Sequence, residues 1–77
     1  MTPAELVGAV QVGRSLAGVS LADTDLRGQK LDGADLRGAT LTRVCLDGAS
    51  LRGADLGGAK ITASSVRNAD LSGARLD

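Results

Sequence analysis

The chain has 77 residues, nine basic and nine acidic side chains, no His, no Phe, Tyr or Trp, and a single cysteine, Cys45. That length allows one domain with an aliphatic core, and neither a disulfide nor a histidine-bearing zinc site is at hand to support it. Zero net charge gives no long-range field that would draw the chain to DNA, RNA or an acidic membrane.

The N-terminus lacks a basic start followed by an apolar stretch, so it does not read as a secretory signal. No apolar run approaches membrane-spanning length. The expected location is a bacterial-type cytoplasm, where a lone thiol stays reduced. Thr2-Pro3-Ala4-Glu5 is a helix start, with Thr as cap, Pro in the first helical position and Glu three residues after the cap. Leu6, Val7 and Val10 would then share an apolar face. Residues 1–13 are expected to form a capping segment, with a helix over 3–11 covering the start of the segment over 14–77. A rival reading treats Ala4–Gly8 and Ala9–Gly13 as two degenerate repeats, but it buries the Gln11 amide, which costs free energy unless partners are found.

From residue 14 to 77 an aliphatic residue recurs at every fifth position: Leu16, Leu21, Leu26, Leu31, Leu36, Leu41, Leu46, Leu51, Leu56, Ile61, Val66, Leu71 and Leu76. A five-residue period fits neither a helix nor a strand. A small residue sits two places before most of these centres, as at Ala34, Ala54 and Ala69, and glycine stands two places after many of them. Glycine at that interval would cost a helix about 1 kcal/mol each time. It suits a chain that turns one corner per repeat, because it supplies the positive φ of a tight turn.

The blocks Ala34-Asp35-Leu36-Arg37-Gly38, Ala54-Asp55-Leu56-Gly57-Gly58 and Ala69-Asp70-Leu71-Ser72-Gly73 resemble the A-(D/N)-L-x-x unit of pentapeptide-repeat proteins. The resemblance covers residues 14–77. It implies an all-β fold, a right-handed quadrilateral β-helix of about three coils, with four units in each twenty-residue coil. The centre and the small residue before it would point inward, as a structural core. Deviations within the sequence carry the same period. The corner lacks glycine at Asp23, Arg43 and Ala63, and the small inward place is larger or polar at Thr24, Val44 and Ser64, both sets spaced by twenty. The other non-glycine corner is Asn68, and Asn tolerates the left-handed conformation. Stacking at this spacing would place Asp23 under Arg43 and Asp32 under Arg52, and Arg27, Asp47 and Arg67 in one column of alternating sign.

The last partial turn, with Ala74 and Leu76 beside Leu71, is expected to be uncovered. Such an end invites pairing with another chain. Either two copies meet there as a homodimer, the favoured reading, or the solenoid continues in a longer chain.

No catalytic, cofactor-binding or metal-binding residues stand out, and no small-molecule substrate, cofactor, nucleic acid or membrane is expected as a partner. Cys45 has Arg43 two residues upstream, which could lower its thiol pKa, but the plainer reading is an ordinary exposed thiol. Asp35 and Asp55 stack in one column, and their natural role is bonding nearby backbone rather than holding a metal. Gln29, at an inward place, reads as a local defect near the first coil. The expected function is that of a non-catalytic protein-interaction module that self-associates through its last coil. The alternative is binding of DNA gyrase by imitation of DNA, as some relatives do; zero charge, no Phe at a centre and a length of about 15 Å at strand spacing disfavour it.

Overall fold

The computed structural model describes residues 2–76. Met1 and Asp77, the outer bounds of the expected segments 1–13 and 14–77, lie outside the described residues. Helix α1 runs over Pro3–Gln11. Its start is a reciprocal capping box: the Thr2 hydroxyl accepts the Glu5 amide at 3.2 Å, and the Glu5 carboxylate accepts the Thr2 amide at 2.8 Å. Its end is a Schellman closure. Gly13 takes φ 75°, its amide donates to the Val10 carbonyl at 3.0 Å, and the Arg14 amide donates to the Ala9 carbonyl at 2.9 Å. The helix reading therefore holds over the degenerate-repeat one. Gln11 stays exposed, as does Arg14 at the helix exit.

Beyond α1 the chain pairs with itself in parallel at a constant offset of twenty. Strands β1 (Ser20–Ala22), β2 (Thr40–Thr42) and β3 (Lys60–Thr62) form one sheet in the order β1-β2-β3, with Leu21 on Leu41 on Ile61. Single-residue bridges repeat the offset in three further columns: Asp25, Cys45 and Ser65; Lys30, Ser50 and Asp70; Asp35, Asp55 and Arg75. The hydrogen bonds alternate in direction. The Leu46 amide donates forward to Ser65 at 2.7 Å, and the Cys45 amide donates back to Thr24 at 2.9 Å.

Two kinds of corner explain why true strands form in one column only. Most corners are tight turns closed by a bond such as Ala54 N–H to Leu51 O at 3.1 Å, with glycine at positive φ, 69° at Gly53. After Leu21, Leu41 and Ile61 no such bond closes the corner among the described residues. There Asp23, Arg43 and Ala63 all adopt φ 53°. The Thr24 and Ser64 hydroxyls donate instead to the carbonyls of Ala22 and Thr62, at 3.0 and 3.1 Å. The wider corner lets the pairing run on for three residues, and β1, β2 and β3 are the result. Asn68, at φ 57°, behaves as a glycine corner, with its turn closed by Ala69 N–H to Val66 O at 3.2 Å.

The core is one apolar cluster. It holds Leu16 through Leu56 of the five-residue series, with Ala34, Ala39, Val44, Ala49 and Ala54, and Leu6 of α1 at 1 % exposure. Each fully buried leucine contributes about 1.5–3 kcal/mol. The expected core column is not buried to its end. Ile61, Val66 and Leu76 are 40, 42 and 62 % exposed, and Leu71 is only half-buried. The reason is geometric: each leucine is covered by its counterparts in the coils before and after, and among the described residues no further coil covers these four.

Candidate interaction surface

Three outer features were candidates for function: the charged columns, the thiol and the uncovered last coil. The charged columns are built by aspartates tied to backbone. Immediately before a centre, an Asp carboxylate accepts the amide two residues on, as Asp25 does from Arg27 at 3.1 Å, Asp55 from Gly57 at 3.0 Å and Asp70 from Ser72 at 3.0 Å. Asp35 also accepts the Ser15 hydroxyl at 2.8 Å, across a twenty-residue step. Asp35 and Asp55 thus do the backbone work expected of them. Among the described residues no group of three or more Cys, Asp or Glu side chains is arranged to hold a metal.

A second arrangement lies just after the centre and crosses between coils on a diagonal. Asp47 accepts the Ser65 hydroxyl at 2.5 Å and the Arg67 amide at 2.8 Å. Asp32 likewise accepts the Ser50 hydroxyl and, at 3.1 Å, the Arg52 amide. The partners lie eighteen and twenty residues on in both cases. The signal was present as a repeated Asp, Ser, Arg spacing, but a search for columns at twenty alone passes over the serines.

The ion pairs depart in part from the expected columns. Asp23 and Arg43 pair across coils as expected, at 2.6 Å with a second bond at 3.1 Å. Arg27 turns to Asp25, two residues back in its own coil, at 2.7 Å, rather than to Asp47. Arg52 reaches toward Asp70 at 3.8 Å, while Asp32 receives only its amide. Asp47 and Asp32 are already engaged by a hydroxyl and an amide, so the guanidinium finds a better acceptor elsewhere. Such bonds hold the carboxyls of Asp23, Asp25, Asp35, Asp47 and Asp70 below the ordinary carboxylate range. For Asp23 and Asp25 the chief cause is the Arg43 or Arg27 guanidinium; for Asp47 and Asp70 it is the Ser65 or Ser72 hydroxyl. Asp35, held by Arg37 and then Ser15, is lowered furthest. Every pair lies at the surface, so each adds little to stability.

Cys45 is a free thiol, half-buried rather than fully exposed. It borders a shallow depression with Asp23, Thr24, Asp25, Arg27 and Arg43. Gln29 is half-buried, and its carbonyl accepts the Ser50 amide at 2.9 Å as any inward residue would.

The last coil differs in kind. Its exposed Ile61, Val66 and Leu76 continue a column that is otherwise buried, with Leu71 and Ala74 half-buried beside them. The forward-donating amides of Leu46, Leu51 and Leu56 find Ser65, Asp70 and Arg75. The equivalent amides of Val66 and Leu71 make no bond among the described residues. The surface is therefore apolar at its centre and carries free strand edges at its rim.

A chain that pairs with itself in parallel every twenty residues around a leucine core defines a repeat protein of the β-helix kind. The profile for pentapeptide repeats matches residues 20–58 and 46–77, in eight copies, and the chain belongs to that family. Its fold is similar to a crystal structure of the pentapeptide-repeat protein Rfr23 from the cyanobacterium Cyanothece 51142, with 29 % identity and a TM-score of 0.78 over 83 % of this chain and 44 % of that one. It is also similar to alr5209, a pentapeptide-repeat protein from Nostoc PCC 7120, with 30 % identity and a TM-score of 0.69 over 99 % of this chain and 76 % of that one. This chain thus spans under half the length of Rfr23. No curated protein matches it. No helix among the described residues is long and apolar enough to cross a membrane.

Proposed function

We propose that this chain is a non-catalytic protein-interaction module: a right-handed, four-sided β-helix of about three coils that self-associates end to end through its last coil. The observation that carries the reading is the exposure of Ile61, Val66 and Leu76, at 40, 42 and 62 %, in a column whose earlier members are buried. The occupant is a second copy. Its own last coil offers the same apolar centre and the same free edges, so two such ends are self-complementary about a two-fold axis. Balanced charge, nine basic against nine acidic residues, favours a protein partner over a nucleic acid. The chain acts in a bacterial-type cytoplasm, where Cys45 stays reduced.

Size-exclusion chromatography with light scattering tests this. The expected mass is twice the 7.7 kDa of the chain, returning to the monomer on Val66→Asp. A monomer at every concentration overturns the reading. A supercoiling assay with DNA gyrase separates it from the DNA-mimic alternative, and no inhibition is expected.

A further inference from the structure

Two steps of the chain join aspartate to glycine, Asp32-Gly33 and Asp47-Gly48. The aspartates at 23, 25, 35, 55 and 70 precede Thr or Leu instead. The difference is chemical. An Asp carboxyl can be attacked by the amide nitrogen of the next residue, and a side chain on that residue hinders the attack. Glycine has none. A bond forms between that nitrogen and Cγ, and the carboxyl OH leaves with the amide proton as water. The resulting succinimide then takes up water at either carbonyl. One opening restores Asp. The other gives isoaspartate, whose main chain runs through Cβ. The mass returns to its starting value, and water is the one reagent.

In the folded chain one residue of the next coil holds both reacting groups. The Arg52 amide donates to the Asp32 carboxylate at 3.1 Å, and the Arg52 carbonyl accepts the Gly33 amide at 2.9 Å. Arg67 holds Asp47 and Gly48 in the same way, both bonds at 2.8 Å. The Ser50 and Ser65 hydroxyls add a bond to the two carboxylates. Carboxyl and nitrogen are thus both committed to the next coil and not to each other.

The two clasps differ in what stands behind them. Arg52 lies between Leu51 and Gly53, whose amides donate to Asp70 and Ser72 of the last coil at 2.7 and 2.9 Å, and Leu51 is fully buried. Arg67 belongs to the last coil itself. Its neighbour Val66 is 42 % exposed, and the Val66 amide makes no bond among the described residues. Segments with few buried contacts open at lower free energy. Opening of the last coil frees Asp47-Gly48 and leaves the clasp on Asp32 in place.

We propose that Asp32-Gly33 and Asp47-Gly48 are latent isomerisation sites, each locked by the coil that follows it, and that Asp47 is the one that converts when the last coil opens. Conversion adds one carbon to the main chain of a fold that pairs at a fixed offset of twenty. It is a lasting mark on a chain whose last coil has been open. The inference does not depend on self-association.

The test is ageing of the full chain in water enriched in oxygen-18, near neutral pH, beside a sample unfolded in urea. Each passage through the succinimide exchanges one carboxyl oxygen, so conversion is read as label and as isoaspartate. Trypsin puts the two sites on separate peptides, residues 31–37 and 44–52. Chromatography and electron-transfer fragmentation then resolve isoaspartate in each. In urea the two sites are expected to convert at similar rates. In the folded chain Asp32 should slow by about tenfold or more, because attack must wait for an opening. Asp47 should slow less and convert several-fold faster than Asp32. Ser65→Ala should speed Asp47 alone, and Ser50→Ala Asp32 alone. Equal rates in the folded and unfolded samples, or Asp32 converting as fast as Asp47 when folded, overturns the proposal. So does a folded serine variant that leaves its own aspartate unchanged or speeds both alike. If a serine variant fails to fold, the comparison of the two sites in the wild-type chain still decides.

Discussion

The Ser64 hydroxyl accepts the amide of Val44, twenty residues earlier in the chain, at 2.9 Å, while donating to the Thr62 carbonyl at 3.1 Å. One oxygen thus does two tasks at the wide corner. It replaces the missing turn bond in its own coil and satisfies a backbone donor in the coil before. Val44 itself is 1 % exposed, so water cannot take over as acceptor. Ser64→Ala is expected to lower stability by about 1–3 kcal/mol, the usual cost of an unsatisfied buried donor. Ser72→Ala removes a hydroxyl that bonds only the exposed Asp70, and should change stability by less than about 0.5 kcal/mol. Urea unfolding of both variants checks the contrast. Equal effects would mean that the Val44 amide does not depend on Ser64.

The wide corner also tests the conformational argument at Ala63. Its φ of 53° is one that an L-residue adopts at a cost, about 1 kcal/mol or more, which glycine escapes. Ala63→Gly is expected to stabilise the fold by roughly 0.5 kcal/mol, the relief being partly offset by the greater freedom of glycine in the unfolded chain. Asp23 and Arg43 share the conformation, but removing either also breaks their ion pair, so Ala63 is the cleaner site. The converse is Gly53→Ala. A Cβ at Gly53 meets nothing within 4 Å, so the expected loss of about 1 kcal/mol would be conformational alone. Thermal melts of the two variants should move in opposite directions.

The spacing of these corners shows how much of the fold was legible. Asp23, Arg43 and Ala63 broke the glycine pattern at intervals of twenty, and the coil can be read from that alone, because only residues stacked on one another share a corner type. The start of α1 was legible for a similar reason: Thr2, Pro3 and Glu5 act within four residues of one another, and local chemistry needs no knowledge of the rest. The bond from Val44 to Ser64 was not legible, since it depends on which backbone donor a corner leaves free. Nor was the choice of Arg27 for Asp25 over Asp47. A column predicts proximity, but the long arginine chain reaches several acceptors, and Asp47 was already held by Ser65 and the Arg67 amide. The burial of the leucine column failed at its end because periodicity records which residues face inward, and not whether a further coil covers them.

That distinction gives a graded prediction along the column. Leu31 is fully buried, so Leu31→Ala should cost about 2–5 kcal/mol. Ile61 is 40 % exposed, so Ile61→Ala in the dissociated chain should cost clearly less, about 1 kcal/mol. Chemical denaturation at low protein concentration measures both. At high concentration the cost of Ile61→Ala should grow, because the proposed association through the last coil would add burial that the monomer lacks. A cost independent of concentration would count against that association.

The ladder of engaged carboxylates sets the pH response. Asp23, Asp25, Asp35, Asp47 and Asp70, with Glu5 at the cap of α1, all hold their protons less tightly when folded than the ordinary values of 3.8 for Asp and 4.5 for Glu. In acid the unfolded chain therefore binds more protons than the folded one, and stability rises with pH until the unfolded carboxyls are ionised. The contribution is fully present above about pH 5 and is lost as pH falls through the lowered folded values. No histidine adds a step between pH 5 and 8. The melting temperature is expected to be flat across neutrality and to fall steeply below about pH 4. Asp35→Asn should reduce that acid slope more than any other single change, since Asp35 is lowered furthest, by the Arg37 guanidinium first and the Ser15 hydroxyl second. Asn keeps an acceptor for the Arg37 amide and loses the charge, so the variant should melt somewhat lower than wild type at pH 7 and approach it at pH 3. Melting curves followed by circular dichroism at the two pH values would settle it, and an unchanged acid slope would mean that the Asp35 cluster is too solvated to couple to folding.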